Sequence, residues 1–340
     1  MMKMKRLGAL AASAAMLLAG CSSNTGSADS TAGSDSGAKG GSDVKIGIVQ
    51  YTEHPALDAA TKGFEDYLKE NGYADASIEF QSAQGEIPNC TSIAQKFVND
   101  KVNLIYAVAT PAAQAAANET KDIPIVLSAV TDPASSGLVN DNAKPGTNVT
   151  GSSDLNPIEA QFDLLQEILP EAKTVGLLYC NAEANSVFQI DLAKKECEAR
   201  DLEFVDASVT DSNQIQQVVE SLNGKVDVLY VPTDNLLAES MATVSQTAEQ
   251  YGIPCIVGEE GIVGNGGLAT YGIDYYELGK LAGAQAVKIL NGDDKPENMA
   301  IEYLPGEKCT LTVNKATAEK LKIELPQSVL DRAVSVGEEE

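Results

Sequence analysis

Histidine occurs once in the 340-residue chain, at His54 in YTEHPALD, directly after VKIGIV, an apolar run that reads as a buried strand. A lone imidazole can move protons, ligate a metal or hydrogen-bond a bound molecule. Proton transfer and metal chemistry need partners, and the sequence has no G-x-S-x-G elbow, H-E-x-x-H, P-loop or G-x-G-x-x-G. Beyond Cys21, the cysteines Cys90, Cys180, Cys197, Cys255 and Cys309 form no C-x-x-C pair and no cluster with His54, which argues against zinc and iron–sulfur sites. No catalytic residue, no metal and no cofactor is expected. Recognition chemistry remains, in the acids Asp132, Glu183, Asp234, Glu259 and Asp274 and the nearby hydroxyls and amides of Thr110, Thr131, Asn185, Ser186, Thr233 and Asn235. An acid or hydroxyl just ahead of a helix caps it as readily as it meets a ligand, so both readings stand for each of these positions.

The elements that hold these residues alternate in period. KIGIV, SIEFQSA, NLIYAVA and IPIVLS read as strands, with helices over about 56–70, 88–99 and from 111. The second half repeats the rhythm: TVGLLYC, a helix over about 185–199, LEFVDAS, a helix over 213–222, VDVLYVP, a helix over 235–250, and IPCIVG. The fold class is α/β, two similar Rossmann-like lobes with parallel sheets. KIGIVQ pairs with TVGLLY, KVNLIYAVAT with KVDVLYVPTD and IPIV with IPCIV, at offsets of roughly 125 to 130 residues, which marks an internal duplication.

Ligand groups of an open parallel sheet come from the loops at the carboxyl ends of its strands. Two lobes then place YTEHPALD, SAQGE, ATPAA and SAVTDP opposite CNAEANS, ASVTDSN, PTDN and GEEG across one cleft. The expected division is 44–151 plus about 274–298 for lobe 1 and 152–273 plus about 299–330 for lobe 2, followed by an acidic tail over 331–340. In the long helix after residue 274, Leu278, Leu281, Ala282, Ala286 and Ile289 fall at helical spacing.

At the N-terminus, MMKMKR and the apolar LGALAASAAMLLAG read as a signal peptide over 1–20, too short to span a bilayer. LAGC matches the bacterial lipobox, which makes Cys21 the lipidation site, and the small polar residues to position 43 form a tether. The formal charge is −25, and removal of Lys3, Lys5 and Arg6 with the leader makes it more negative still. Such a body repels nucleic acid and anionic lipid, so membrane contact is expected through the lipid anchor alone.

The order and spacing of KIGIVQYTEHPALDAATKGF, AQKFVNDKVNLIYAVATPAAQAAAN, DIPIVLSAVTDPASSGLV, LYCNAEANSV, VDVLYVPTDNLL and GEEGIVGNGGLATYGIDYYELG resemble the substrate-binding lipoproteins of ABC importers with the type I periplasmic-binding-protein fold, in the tryptophan and tyrosine uptake branch. The resemblance runs from about residue 44 to 315. It implies a monomer, extracytoplasmic and lipid-anchored to the bacterial cell membrane, that captures a small ligand by closure about a multi-strand hinge and hands it to a permease driven by a cytoplasmic ATPase. It also implies that the long helix packs back on lobe 1. The ligand it suggests is an aromatic L-amino acid, with a ligand-sensing lipoprotein or a non-amino-acid metabolite as alternatives. For such a ligand, the helix starts at Thr110-Pro111 and Asn185-Ser186 suit the carboxylate. Asp234 leads Asp132, Glu183, Glu259 and Asp274 as acceptor for the ammonium. Tyr51, Tyr179, Tyr271, Tyr275 and Tyr276, with Pro55 and Pro111, are candidate walls for the ring. His54 either contacts the ligand or shapes its loop.

Overall fold

The computed structural model describes residues 43–337. The expected signal peptide, Cys21 and nearly all of the tether lie outside these residues.

The first lobe is built on β1 (Lys45–Gln50), β2 (Ser77–Ser82), β3 (Leu104–Val108), β4 (Ile125–Ser128) and β5 (Val149–Ser153), with α1 (Pro55–Leu68), α2 (Ile87–Asn99) and α3 (Thr110–Glu119) as crossovers. Strands β1, β3 and β4 are apolar along almost their whole length because helices cover both faces of a parallel sheet. Proline stands in the first turn of all three helices, where a missing N–H costs nothing.

The second lobe runs α4 (Ile158–Ile168), β6 (Thr174–Cys180), α5 (Ala184–Ala199), β7 (Glu203–Val209), α6 (Ile215–Ser221), β8 (Val228–Val231), α7 (Asn235–Glu239), α8 (Met241–Gln250), β9 (Cys255–Val257), α9 (Glu260–Gly264) and β10 (Ala269–Gly272). The expected single helix over 235–250 is two, broken at Ser240, whose ψ of 10° leaves the helical range. The chain ends with α10 (Tyr275–Asn291), β11 (Glu302–Tyr303), β12 (Thr310–Asn314), α11 (Lys315–Leu321), α12 (Gln327–Leu330) and β13 (Val334–Val336).

Strand order is β11-β5-β4-β3-β1-β2 in one sheet and β13-β12-β10-β9-β8-β6-β7 in the other. All pairings are parallel except β10 with β12. Three of the expected boundaries need correction. Residues 152–153 complete β5 and so belong to lobe 1. Residues 302–303 belong to lobe 1, since β11 pairs with β5. Residues 334–336 are a strand of lobe 2, not a tail, because β13 pairs with β12. The chain therefore crosses between lobes after β5, after β10 and after β11.

Helix α10 packs on α1 along a seam of small residues. A Cβ on Gly279 would stand 1.9 Å from the Ala60 carbonyl oxygen, and one on Gly63 2.0 Å from that of Tyr276. Only glycine allows this approach. Leu278, Ala282 and Ala286 thereby join the lobe 1 core with Phe64 and Tyr106, whose rings stack 3.8 Å apart. Lobe 2 buries two apolar layers, one around Val219, Leu229 and Val244, the other around Phe162, Leu177 and Tyr230.

Candidate functional site

The carboxyl ends of both sheets converge on a pocket that the closed lobes reduce to about 10 Å³ of free space, room for about one water and far below the roughly 300 Å³ of a small-molecule site, so a ligand enters only as the lobes part. Lobe 1 and the first crossing contribute His54, Leu57, Ala129 and Asp154; lobe 2 contributes Asn185, Thr233, Asp234, Asn235, Ala238 and Glu259; Tyr275 enters from α10. Of the sequence candidates, His54, Asn185, Thr233, Asp234, Asn235, Glu259 and Tyr275 meet here.

His54 and Glu183, counterparts in the internal repeat, both occupy the residue before the helix that follows the matching strand, β1 or β6, in extended backbone, and neither side chain caps that helix. Both turn to Asn235. His54 Nε2 lies 3.3 Å from Asn235 Oδ1, and Asn235 Nδ2 donates to Glu183 Oε2 at 2.5 Å. Glu183 also accepts from the backbone N–H groups of Asn235 and Leu236, and so serves the start of α7. Burial and the charge of Asp234 push its carboxyl up to about 8. His54 is 8% exposed, and burial lowers the imidazole below its ordinary 6.5.

The acids separate by how their oxygens are used. Asp234 caps α7 through Leu237 N at 2.9 Å, and its other oxygen accepts from Cys180 N at 2.6 Å. Glu259 accepts from Gly261 N and Ile262 N at the start of α9, and burial pushes it up to about 7. Asp274 caps α10 at an exposed position, and Asp132 holds a turn through Ser135 N and Asn142 Nδ2. Asp154 is different. One oxygen accepts from the Tyr275 hydroxyl at 2.9 Å, while Oδ1 is buried with no protein partner. Burial pushes this carboxyl up to about 6 against the opposing pull of that hydroxyl, of the nearby Thr131 hydroxyl and of its own backbone N–H.

Three further buried atoms in the cavity lining are unpartnered: His54 Nδ1, Asn185 Oδ1 and Thr233 Oγ1. Asn185 is oriented by donations from its Nδ2 to Glu183, Ser186 Oγ and the Thr233 carbonyl. Unpaired buried polar atoms are costly, and four of them facing one cavity are the mark of a site completed by a polar molecule. No lysine or arginine lines it.

The remaining candidates lie around this centre. Thr110 opens α3 with its hydroxyl buried and unpartnered, after Ala109 at φ 78°. Ala129, at φ 56°, is a second non-glycine residue in a strained conformation at a strand end, and such strain gathers at functional sites. Thr131 Oγ1 accepts from Gln189 Nε2 at 3.3 Å, a bond between lobes. Ser186 is buried beside Asn185. Tyr51 packs into the lobe 1 core, and Pro55 borders a neighbouring depression with Glu259, Asp274 and Tyr275. Asp154 and the apolar lining residues Leu57, Ala129 and Ala238 are absent from the sequence expectation. The available signal for Asp154 was its place just past the carboxyl end of a buried strand.

The lobes are closed on each other. Besides His54–Asn235 and Thr131–Gln189, the Thr52 hydroxyl donates to Glu239 Oε2 at 3.0 Å across the cleft. Among the described residues no helix is long and apolar enough to cross a membrane.

Residues 45–337 match the model of the family described as ABC transporter substrate binding protein. The chain is 46% identical over 279 residues to the tyrosine-binding protein of Clostridioides difficile, covering 81% of this chain and 80% of that protein. The fold is similar to an ABC domain in complex with L-Trp from Streptococcus pneumonia, with a TM-score of 0.83, 36% identity, and coverage of 86% of this chain and 99% of that one. A ligand-free, open substrate-binding protein with adhesive properties from Clostridium difficile gives a TM-score of 0.67 at 44% identity and the same coverage.

Proposed function

This chain belongs to the ABC transporter substrate-binding proteins, and we propose that it captures an aromatic L-amino acid between its lobes and, in keeping with the family role, delivers it to a permease. The observation that carries the reading is the set of unpartnered buried atoms His54 Nδ1, Asp154 Oδ1, Asn185 Oδ1 and Thr233 Oγ1 around a closed cavity without a basic side chain. A carboxylate with one free oxygen in a dry cleft suits an ammonium, and hydroxyl and amide oxygens take its remaining N–H groups. Asp154 fills the role for which the sequence favours Asp234, whose oxygens are committed to backbone N–H groups.

The ligand carboxylate goes to helix starts that no side chain caps, at Thr110 of α3 and Asn185 of α5. Leu57 and Ala238 offer apolar surface to the ring. The names of the similar proteins, one tyrosine-binding and one holding L-Trp, support the ligand class. Capture and release involve no bond-making, so the protein acts as a binding protein, not an enzyme. We further propose that the mature chain is a monomer held outside the cell membrane by lipid on Cys21.

Mass spectrometry of the ligand released from natively purified protein, followed by calorimetric titration with L-tyrosine and L-tryptophan, tests the reading. Recovery and submillimolar binding of either amino acid are expected. A different metabolite class in the cleft, with no binding of either, would overturn it.

A further inference from the structure

We infer that the cavity selects aromatic amino acids whose side chain carries a hydrogen-bond donor, and that the lone pair on His54 Nδ1 is the group that reads this donor. The inference rests on the ligand class proposed above and adds to it a rule of selection within that class.

The argument begins with Asn235. Its Nδ2 is committed to Glu183 Oε2, so the atom turned toward His54 is the oxygen Oδ1, which can only accept. The hydrogen between the two side chains therefore sits on His54 Nε2. Burial keeps the imidazole neutral, so the other ring nitrogen, Nδ1, carries a lone pair and no hydrogen. That atom is buried and has no protein partner.

The same reasoning fixes the other unpartnered atoms. Asn185 spends its Nδ2 within the protein and presents Oδ1, and Asp154 presents an ionised carboxylate oxygen at neutral pH. Three of the four free atoms are thus acceptors, and the fourth, Thr233 Oγ1, can act either way. An ammonium brings three N–H groups, which Asp154, Asn185 and Thr233 can take. His54 is left over, and it needs a donor from elsewhere on the ligand. Leu57 is one helical turn from His54 on α1, and Ala238 one turn from Asn235 on α7, so apolar surface flanks the imidazole on both lobes. An aromatic ring between them would carry a phenol O–H or an indole N–H to His54. Phenylalanine would leave Nδ1 buried and unpaired.

Calorimetry on the wild-type chain with L-tyrosine, L-tryptophan and L-phenylalanine gives the first measurement. Phenylalanine should bind at least about 10-fold more weakly than the better of the other two, since an unmet buried acceptor opposes it. His54→Leu should weaken all three through loss of the contact with Asn235 and bring the affinities for phenylalanine and the better ligand close together. Because the chain has one histidine, nitrogen-15 NMR of the histidine-labelled, ligand-saturated wild type reads the tautomer without assignment and without a variant. The expected spectrum shows hydrogen on Nε2 and an Nδ1 signal displaced toward a hydrogen-bonded position. Equal affinities for the three amino acids, or hydrogen on Nδ1, would overturn the donor reading while leaving the ligand class intact. Failure of all three to bind would overturn the ligand class and the selection rule together.

Discussion

Replacing Asp154 by asparagine keeps the shape of the side chain and removes its charge. In the structure one oxygen of Asp154 holds the Tyr275 hydroxyl at 2.9 Å and the other faces the cavity. The amide oxygen of Asp154→Asn is expected to take over the Tyr275 bond, so the amide NH₂ turns into the cavity and meets the ligand's ammonium donor to donor. Losing one partner of a buried, hydrogen-bonded charge pair costs about 2–5 kcal/mol, or about 30-fold to several thousandfold in dissociation constant. Calorimetry near neutral pH measures this directly, and a thermal melt of the ligand-free variant serves as control. The melt should be unchanged or higher, because burial disfavours the charge that has been removed. Affinity within about threefold of wild type would refute the assignment of the ammonium to Asp154. Asp234→Asn offers the contrast. It should lower stability by about 1–3 kcal/mol, because its one amide oxygen can serve Leu237 N or Cys180 N but leaves the other buried N–H unpaired, with a smaller effect on binding than Asp154→Asn.

Three further outcomes are expected. The ligand-free protein should gain stability on acidification from pH 8 to 6.5, because Glu183 and Glu259 are raised to about 8 and about 7 and take up protons in the folded state that the unfolded chain would not bind; His54, lowered by burial, opposes this only below its ordinary 6.5, and melting curves should shift upward by a few degrees. Gly279→Ala, which would force a Cβ against the Ala60 carbonyl, should cost about 3 kcal/mol, read as a lower urea midpoint. Glu239→Ala removes a contact between the lobes without touching the cavity lining, and should speed ligand release by about 2- to 5-fold in stopped flow, as fits a bond worth about 0.5–1 kcal/mol at a partly exposed site, with the unfolding midpoint unmoved.

The sheets were legible because residues buried on two faces must be apolar along their length. KIGIVQ and TVGLLYC could be read as counterparts without coordinates, and the repeat carried the cleft with it. The division of labour among the acids was less legible. Asp234 and Asp154 each follow a buried strand, and a carboxylate ahead of a helix has the same sequence whether its oxygens meet backbone N–H groups or a ligand. Only the bonds from Cys180 N and Leu237 N to Asp234, and the single bond from Tyr275 to Asp154, separate them. Asp154 was further hidden in a stretch of glycine, serine and asparagine that reads as a link, though its end is the strand β5 and the hinge. The short strands β11 and β13 gave no periodic signal, being defined by the partners β5 and β12 and not by their own composition.

The seam between α1 and α10 also bears on how the chain is made. The bonds that fasten it join residues far apart in sequence: Tyr276 reaches back 210 positions to Asp66, and Tyr73 reaches forward 218 positions to Asn291. A nascent chain that has produced every strand of the first sheet up to β5 still lacks the helix that covers one side of it. Contacts of such sequence separation slow folding, because the loop they close must be ordered before they reward it. The first lobe is thus begun first but cannot be finished until α10 and β11 emerge, after most of the second lobe has been made, and a chain truncated before α10 would expose the apolar flank of α1 to solvent, chaperone or protease.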